Sequence, residues 1–342
     1  MRNPPIFDGH HDALTRPTAD RLAGGRPDGH LDVPRARAAG LAGAIWAIFT
    51  DGVATDDLFV PTPDGYAAPL APALDHGTAA AHATAAAGRL HALERDGHVR
   101  IARTVADLDA AAAGGPHAAV LHLEGAEAID PDLEALEHWH AAGLRSLGLV
   151  WSRPNAFGHG VPFRHPSSPD TGPGLTSAGR ALVARANHLN ILLDVSHLNA
   201  RGFADVAAIS TAPLVASHSG AHAIAPSSRN LTDDQLDVIA ASDGLVGIPF
   251  IIEFVRADGR LDPTTPLRTV VAHLRHVADR VGVRHVALGS DFDGGEVPDA
   301  LGDVTGLPGL LDALRHDGFT EDEVRGIAWD NWRRVLGAAW AA

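Results

Sequence analysis

The chain has no cysteine in its 342 residues. Disulfides, thiolate metal sites and cysteine nucleophiles are therefore excluded together, and any bound metal must rest on histidine and carboxylate. Lysine is absent as well, since all 27 basic residues are arginine. That excludes a Schiff-base lysine, a phosphate-cradling P-loop and a lysine-derived carboxylate as a bridge between metals. Positive charge is scarce overall. With 42 acidic residues the net charge is −15, which repels nucleic acid and anionic membrane, and no basic run offsets it. Apolar runs stay well short of the roughly 18 residues that span a bilayer. The opening segment MRNPPIFDGHHD lacks the apolar core of a secretory signal, so a cytoplasmic protein is expected.

What is present is apolar material and imidazole: 45% hydrophobic residues and 21 histidines. Short apolar runs alternate with longer helical patterns, the signature of βα units around a parallel sheet. Eight runs read as strands, at 5–9, 43–49, 118–124, 145–151, 190–197, 212–218, 244–250 and 285–291. Apolar residues spaced three and four apart predict helices over 132–143, 177–189, 233–242 and 267–282. Eight such units closing on themselves make a (β/α)8 TIM barrel, here expected as one domain over 1–342. Two stretches depart from the repeat: an Ala-rich helical excursion at about 66–113 and a Pro/Gly-rich loop at about 152–175, long enough to cover a site. Thr320, with Glu323 three residues on, opens a final helix through a capping box.

Strands of a parallel barrel are buried on both faces, so titratable residues within them are costly unless paired or metal-bound. Here they recur at the C-terminal ends of five strands, the catalytic face of such barrels: His10 and Asp12, Glu124, His197, His218 and Asp291. His10 and Asp12, two apart, share a side, whereas His11 points elsewhere. Imidazole and carboxylate without sulfur suit zinc, with manganese, iron or cobalt as alternatives. Five ligands exceed the protein complement of one catalytic zinc, so two ions are expected. A carboxylate must then bridge them. Glu124, followed by Gly125 where backbone comes close, is the natural bridge.

The motifs DGHHD, HLEGAEAI, LDVSHLN, SHSGAHAIAPSSRNL and LGSDFDG, in this order and at these separations, closely resemble the membrane (renal) dipeptidase family of the amidohydrolase superfamily. The resemblance runs from residue 6 to the C-terminal helix. It implies a binuclear zinc barrel that hydrolyses small dipeptides, L-Xaa-L-Xaa or L-Xaa-D-Xaa, by attack of a metal-bridging hydroxide. Carried over by position, it makes His10 and Asp12 ligands of one zinc, His197 and His218 ligands of the other, and Glu124 the bridge. Asp291 matches the family's acid/base and Arg229 the residue that holds the substrate's terminal carboxylate; a homodimer is the family expectation. Renal-type members carry a histidine after the fourth strand that polarises the scissile carbonyl or steadies the tetrahedral intermediate. Here Trp151 stands in that place, and an indole cannot become a cation. His159 and His165 in the following loop are the candidates to replace it. This departure, with the missing export signal, points to a bacterial-type member.

Most other histidines are expected on solvated helix faces: His76, His82, His91, His138, His140, His273 and His276. His122 is read either as a partner that orients a metal ligand or as a hydrogen-bonded core residue. Asp8 and Asp293 are expected to cap turns rather than to orient ligands. Trp46, Trp139, Trp329, Trp332 and Trp340 read as packing residues. Two rivals to the dipeptidase remain at this level: a metal-dependent hydrolase of another small amide, such as an N-acyl amino acid or a lactam, and a non-catalytic metal-binding scaffold.

Overall fold

The computed structural model describes residues 3–50 and 60–341. All eight expected strands are present; the first three run slightly longer than their apolar runs and the last five shorter. They are β1 Ile6–His11, β2 Leu41–Phe49, β3 His117–Glu124, β4 Leu144–Gly148, β5 Leu192–Asp194, β6 Val215–Ala216, β7 Leu245–Ile248 and β8 Val286–Leu288. Neighbours in sequence pair in parallel from β1 to β8. The last strand returns to the first through two backbone bonds, Asp12 N–H to the Phe292 carbonyl at 2.9 Å and Asp291 N–H to the His10 carbonyl at 3.0 Å. Asp8 reinforces this seam by accepting from both the backbone N–H and the hydroxyl of Ser290, each at 2.6 Å. A nearly closed barrel results, and its closing bonds lie among the residues singled out for chemistry.

The predicted helices lie at Glu134–Ala142, Ser177–His188, Asp233–Ala241 and Arg268–Val281. The Ala-rich stretch is less purely helical than its composition suggests. Helices His76–Arg95 and Val105–Ala112 flank a short strand, Val99–Ile101, that pairs in parallel with the first half of β3. A second, three-stranded antiparallel sheet ties Gly65–Ala67 to Arg164–His165 in the long loop after β4.

Two apolar layers stabilise the barrel. Between strands and helices lies the larger core, which includes Trp46, Ile48, Leu121, Leu193 and Leu274. The interior holds a second cluster, with Phe7, Ile45, Val120, Leu192, Val215, Leu245 and Ala287 from the strands and Trp329, Trp332, Val335 and Leu336 from the C-terminal segment. The Thr320 capping box forms as expected. The helix it opens continues through a π-turn at Gly326–Asp330 into Asn331–Trp340, which floors the barrel. Trp332 is buried, donates its indole N–H to the Leu288 carbonyl at 2.8 Å and stacks 5.5 Å from Phe7. Above it a Cβ on Gly9 would come within 2.3 Å of the Trp332 ring and 2.6 Å of the Ser217 carbonyl. The β1–β2 register slips between Asp8 and His11, so Gly9 and His10 both reach the interior. The other tryptophans pack as expected.

One expectation is overturned. His273 does not lie on a solvated face but is fully buried. It accepts the Ala221 N–H at Nδ1 and donates from Nε2 to the Val255 carbonyl, both at 2.9 Å. His273 stands three residues after Val270 and four before Val277, on the helix's apolar stripe, where it pins the loop after β6 to the one after β7.

Two measurements test this account. Trp332→Ala should lower unfolding free energy by roughly 3–5 kcal/mol in urea titrations, because it opens a cavity across the barrel floor; a loss below about 1 kcal/mol would deny the floor its role. Burial holds the His273 ring at about 4 against an ordinary 6.5. Below pH 6.5 the unfolded chain then takes up a proton that the folded chain refuses, and stability falls as pH drops from about 6.5 to 4. That difference amounts to roughly 3 kcal/mol at the acid end. His273→Gln should be less stable at neutral pH yet lose less on acidification; an unchanged slope counts against it.

Candidate active site

At the C-terminal ends of the strands a cavity of about 890 Å³ opens, lined among others by Asp12, Glu124, Trp151, His197 and Asp291. His10 and His218 stand just behind Glu124, fully buried. The five expected ligands converge. Glu124 Oε1 lies 2.9 Å from His197 Nε2, 3.4 Å from His218 Nε2 and 3.6 Å from His10 Nε2. The His197 and His218 Nε2 atoms are 3.0 Å apart, and His10 Nε2 is 3.8 Å from Asp12 Oδ1. Two overlapping groups thus share Glu124: His10 with Asp12, and His197 with His218.

These atoms fit metal ions better than they fit one another. Ligands held about 2.1 Å from a tetrahedral ion stand about 3.4 Å apart, the middle of the observed range. His10 Nε2 and Asp12 Oδ1 are buried with no hydrogen-bond partner, and an orphaned polar atom is expensive. The tautomer of one ring follows from its neighbours. Ser217 has a single proton, and its hydroxyl lies 2.5 Å from the ionised Asp194 Oδ2 and 2.7 Å from His218 Nδ1. If it donates to the carboxylate, it accepts from His218 Nδ1–H, which leaves the Nε2 lone pair facing Glu124. Burial first, and then the His10 charge, hold His218 well below the ordinary histidine range. His197 is held at about 4, by burial first and then by Arg229, and its Nδ1 bonds the Ser152 hydroxyl at 2.8 Å.

Sequence reading missed the residues that hold these rings. Asp194 accepts the backbone N–H groups of Ser196 and Ser217, each at 2.9 Å, and lies 3.7 Å from His122 Nε2. Burial pushes its carboxyl up, but His122, His218 and the Ser217 bonds outweigh it and leave the group at about 2. His122 is thus a buried partner within this network, bonded to Ser146 at 2.9 Å. A charged residue inside the apolar run ILLDVSH is the signal that could have found Asp194. Asp293, expected as a turn cap, accepts from Arg26 and from the His30 backbone N–H and so fixes the rim.

Asp291 and His197 both adopt left-handed backbone, at φ 61° and 67°, a conformation that costs energy in non-glycine residues and gathers at functional sites. It turns both side chains off their strand ends. Gly125, at φ 91°, passes where a Cβ would meet the Glu127 carboxylate at 2.2 Å. Burial first, then the Asp12 and Glu124 charges, raise the Asp291 carboxyl well above the usual carboxylate range, against His10 and Arg229. Three buried carboxylates in one place call for cations.

Arg229 is buried, donates to the His218 carbonyl at 3.0 Å, and keeps an Nε without a partner. Its guanidinium sits 5.5 Å from the Phe254 ring on the cavity wall. Trp151 forms another wall, 5.9 Å from the His197 ring and 4.8 Å from Phe49. Behind it the guanidinium of Arg153 stacks at 4.8 Å. His159 and His165, like Arg229, are not among the residues that line the cavity.

Among the described residues no helix is long and apolar enough to cross a membrane. A crystal structure of a metallo peptidase from Rhodobacter sphaeroides, liganded with a phosphinate mimic of the dipeptide L-Ala-D-Ala, matches with a TM-score of 0.95 and 47% identity, over 99% of this chain and 100% of that one. The crystal structure of the metallo peptidase dipeptidase AC matches with a TM-score of 0.96 at 47% identity, over the full length of both chains. An uncharacterized Klebsiella pneumoniae protein from the pqqA 5′ region is 47% identical over 244 residues, 71% of this chain and 90% of that protein. The sequence profile of the membrane dipeptidases, peptidase family M19, matches residues 1–342. The chain belongs to the membrane dipeptidase family and is a metallo-dipeptidase.

Proposed function

We propose that this chain hydrolyses small L,L or L,D dipeptides with two zinc ions, held by His10 and Asp12 on one side, His197 and His218 on the other, and Glu124 between. The observation that carries this reading is the reach of one Glu124 oxygen to three imidazole nitrogens within 3.6 Å, deep in a site where water is scarce. Zinc bound there supplies Lewis acidity and lowers the pKa of water from 15.7 to about 7, which makes a nucleophile at neutral pH.

The chain's own groups do the rest. Arg229 offers a planar fork that pairs with the free carboxylate of a dipeptide in two-point fashion, and this selects short substrates. Asp291, set between the His10 and Asp12 strand and the cavity, orients the attacking water, holds its proton on a carboxylate oxygen and passes it to the departing amine. Trp151 closes the wall where renal-type relatives place a histidine; it gives the scissile carbonyl an apolar neighbour and leaves its polarisation to the metal side. The phosphinate dipeptide mimic bound by the R. sphaeroides relative supports a dipeptide substrate.

Steady-state hydrolysis of L-Ala-L-Xaa and L-Ala-D-Xaa dipeptides by the zinc-reconstituted protein tests this directly. Activity should vanish on chelation and return with zinc, at close to two ions per chain by elemental analysis; one ion at full activity would refute the binuclear reading. Asp291→Asn should keep both ions while kcat falls about 10²–10⁴-fold. His197→Ala should instead lose metal, a contrast that separates proton handling from metal holding.

A further inference from the structure

Of the cavity carboxylates that the proposed reaction leaves unused, Glu253 stands out by its burial and its unpartnered oxygen. Glu253 lies in the short helix Ile252–Val255 that follows β7, at the same end of the barrel as the ligands. It lines the cavity, yet it is only 8% exposed and its Oε2 has no hydrogen-bond partner. A carboxylate oxygen buried without a donor is costly on its own. The neighbouring charge makes this worse. Burial first, and then Glu296, push the Glu253 carboxyl above the ordinary range. Glu296 also lines the cavity, and its carbonyl accepts the Ile252 N–H at 3.0 Å, which holds the two acidic segments side by side.

Two of the three arginines that line the same cavity are engaged elsewhere, Arg26 with Asp293 and Arg35 with Asp32 and Asp303. Ile251, Phe254 and Leu261 complete the wall near Glu253. A carboxylate beside apolar walls suits an alkyl stem with a cationic head, the stem lying on hydrocarbon while the head meets the charge.

We propose that Glu253, backed by Glu296, forms a subsite for a positive charge of the substrate, so that the enzyme favours dipeptides that present an ammonium or guanidinium there. The inference rests on the dipeptidase reading above. Two parts of a dipeptide carry such a charge: an arginine or lysine side chain, and the amino terminus.

Matched substrate pairs test the subsite on the full-length, zinc-loaded protein. One set compares arginine with its neutral isostere citrulline, as L-Arg-L-Ala against L-Cit-L-Ala and L-Ala-L-Arg against L-Ala-L-Cit. The other compares L-Ala-L-Ala with its N-formyl derivative. In one set the wild type should prefer the charged member about tenfold or more in kcat/KM, as expected for a charged hydrogen bond in a buried place. Glu253→Gln should bring that ratio to within about twofold, and Glu296→Gln should lower it less. Collapse of the arginine ratio assigns the subsite to a side chain, and collapse of the N-formyl ratio assigns it to the amino terminus; either supports the proposal. Wild-type ratios near one, or ratios unchanged in both variants, overturn it. Zinc content equal to wild type shows that Glu253→Gln is folded, and if it is not, Glu296→Gln carries the same comparison. A wild type that cleaves none of these peptides sinks the dipeptidase reading and the subsite with it, whereas cleavage without charge preference sinks the subsite alone.

Discussion

The structure depends on one constraint: three carboxylates, Asp12, Glu124 and Asp291, are buried at the top of a barrel with too little water to solvate them. Left alone, such a group costs several kcal/mol, far more than any single packing contact returns. The surroundings are organised around that cost. Imidazoles from β1 and from the loops after β5 and β6 face Glu124, and beneath them Asp194 and Ser217 fix the His218 ring. The seam between β8 and β1 brings Asp291 beside His10 through a backbone bond of 3.0 Å. Closing the barrel and assembling the site are therefore one event, since the bonds that complete the sheet set the distance between the first and last functional residues.

Much of this was legible in the sequence because strand ends in a parallel barrel have little freedom. A charged residue that terminates an apolar run in such a barrel falls on the catalytic face, and five such ends suffice to place His10, Asp12, Glu124, His197, His218 and Asp291 together. What was not legible depends on contacts between segments far apart in the chain. Arg153 stacks behind Trp151 and lies against Glu127, a pairing that no local pattern announces. Val99–Ile101 joins the sheet although it is only three residues long, too short to show a period. Glu253 follows a strand like the other site residues, but its meaning appears only when its oxygen is found without a donor. His273 was readable after all: it falls on the apolar stripe of its helix, and its polarity masked its position.

Trp151, proposed to stand where renal-type members carry a histidine, shapes one wall of the cavity. Trp151 fills the wall with a flat ring held between Phe49 and Phe163, and the guanidinium of Arg153 lies against it, away from the cavity lining. That guanidinium is paired with the buried Glu127 carboxylate at 3.3 Å, so the wall turns an apolar ring toward the cavity.

The barrel floor has a consequence for how the protein is made. Trp329 and Trp332 belong to a segment that follows all eight strands in the chain. A ribosome therefore delivers every ligand, and every strand of the sheet, before it delivers the apolar surface on which those strands rest. Until residues 329–340 have left the exit tunnel, the nascent barrel is open at its base, with Phe7, Leu245 and Ala287 uncovered. The interval between synthesis of β8 and release of that helix is the period in which the chain most needs shielding from its neighbours.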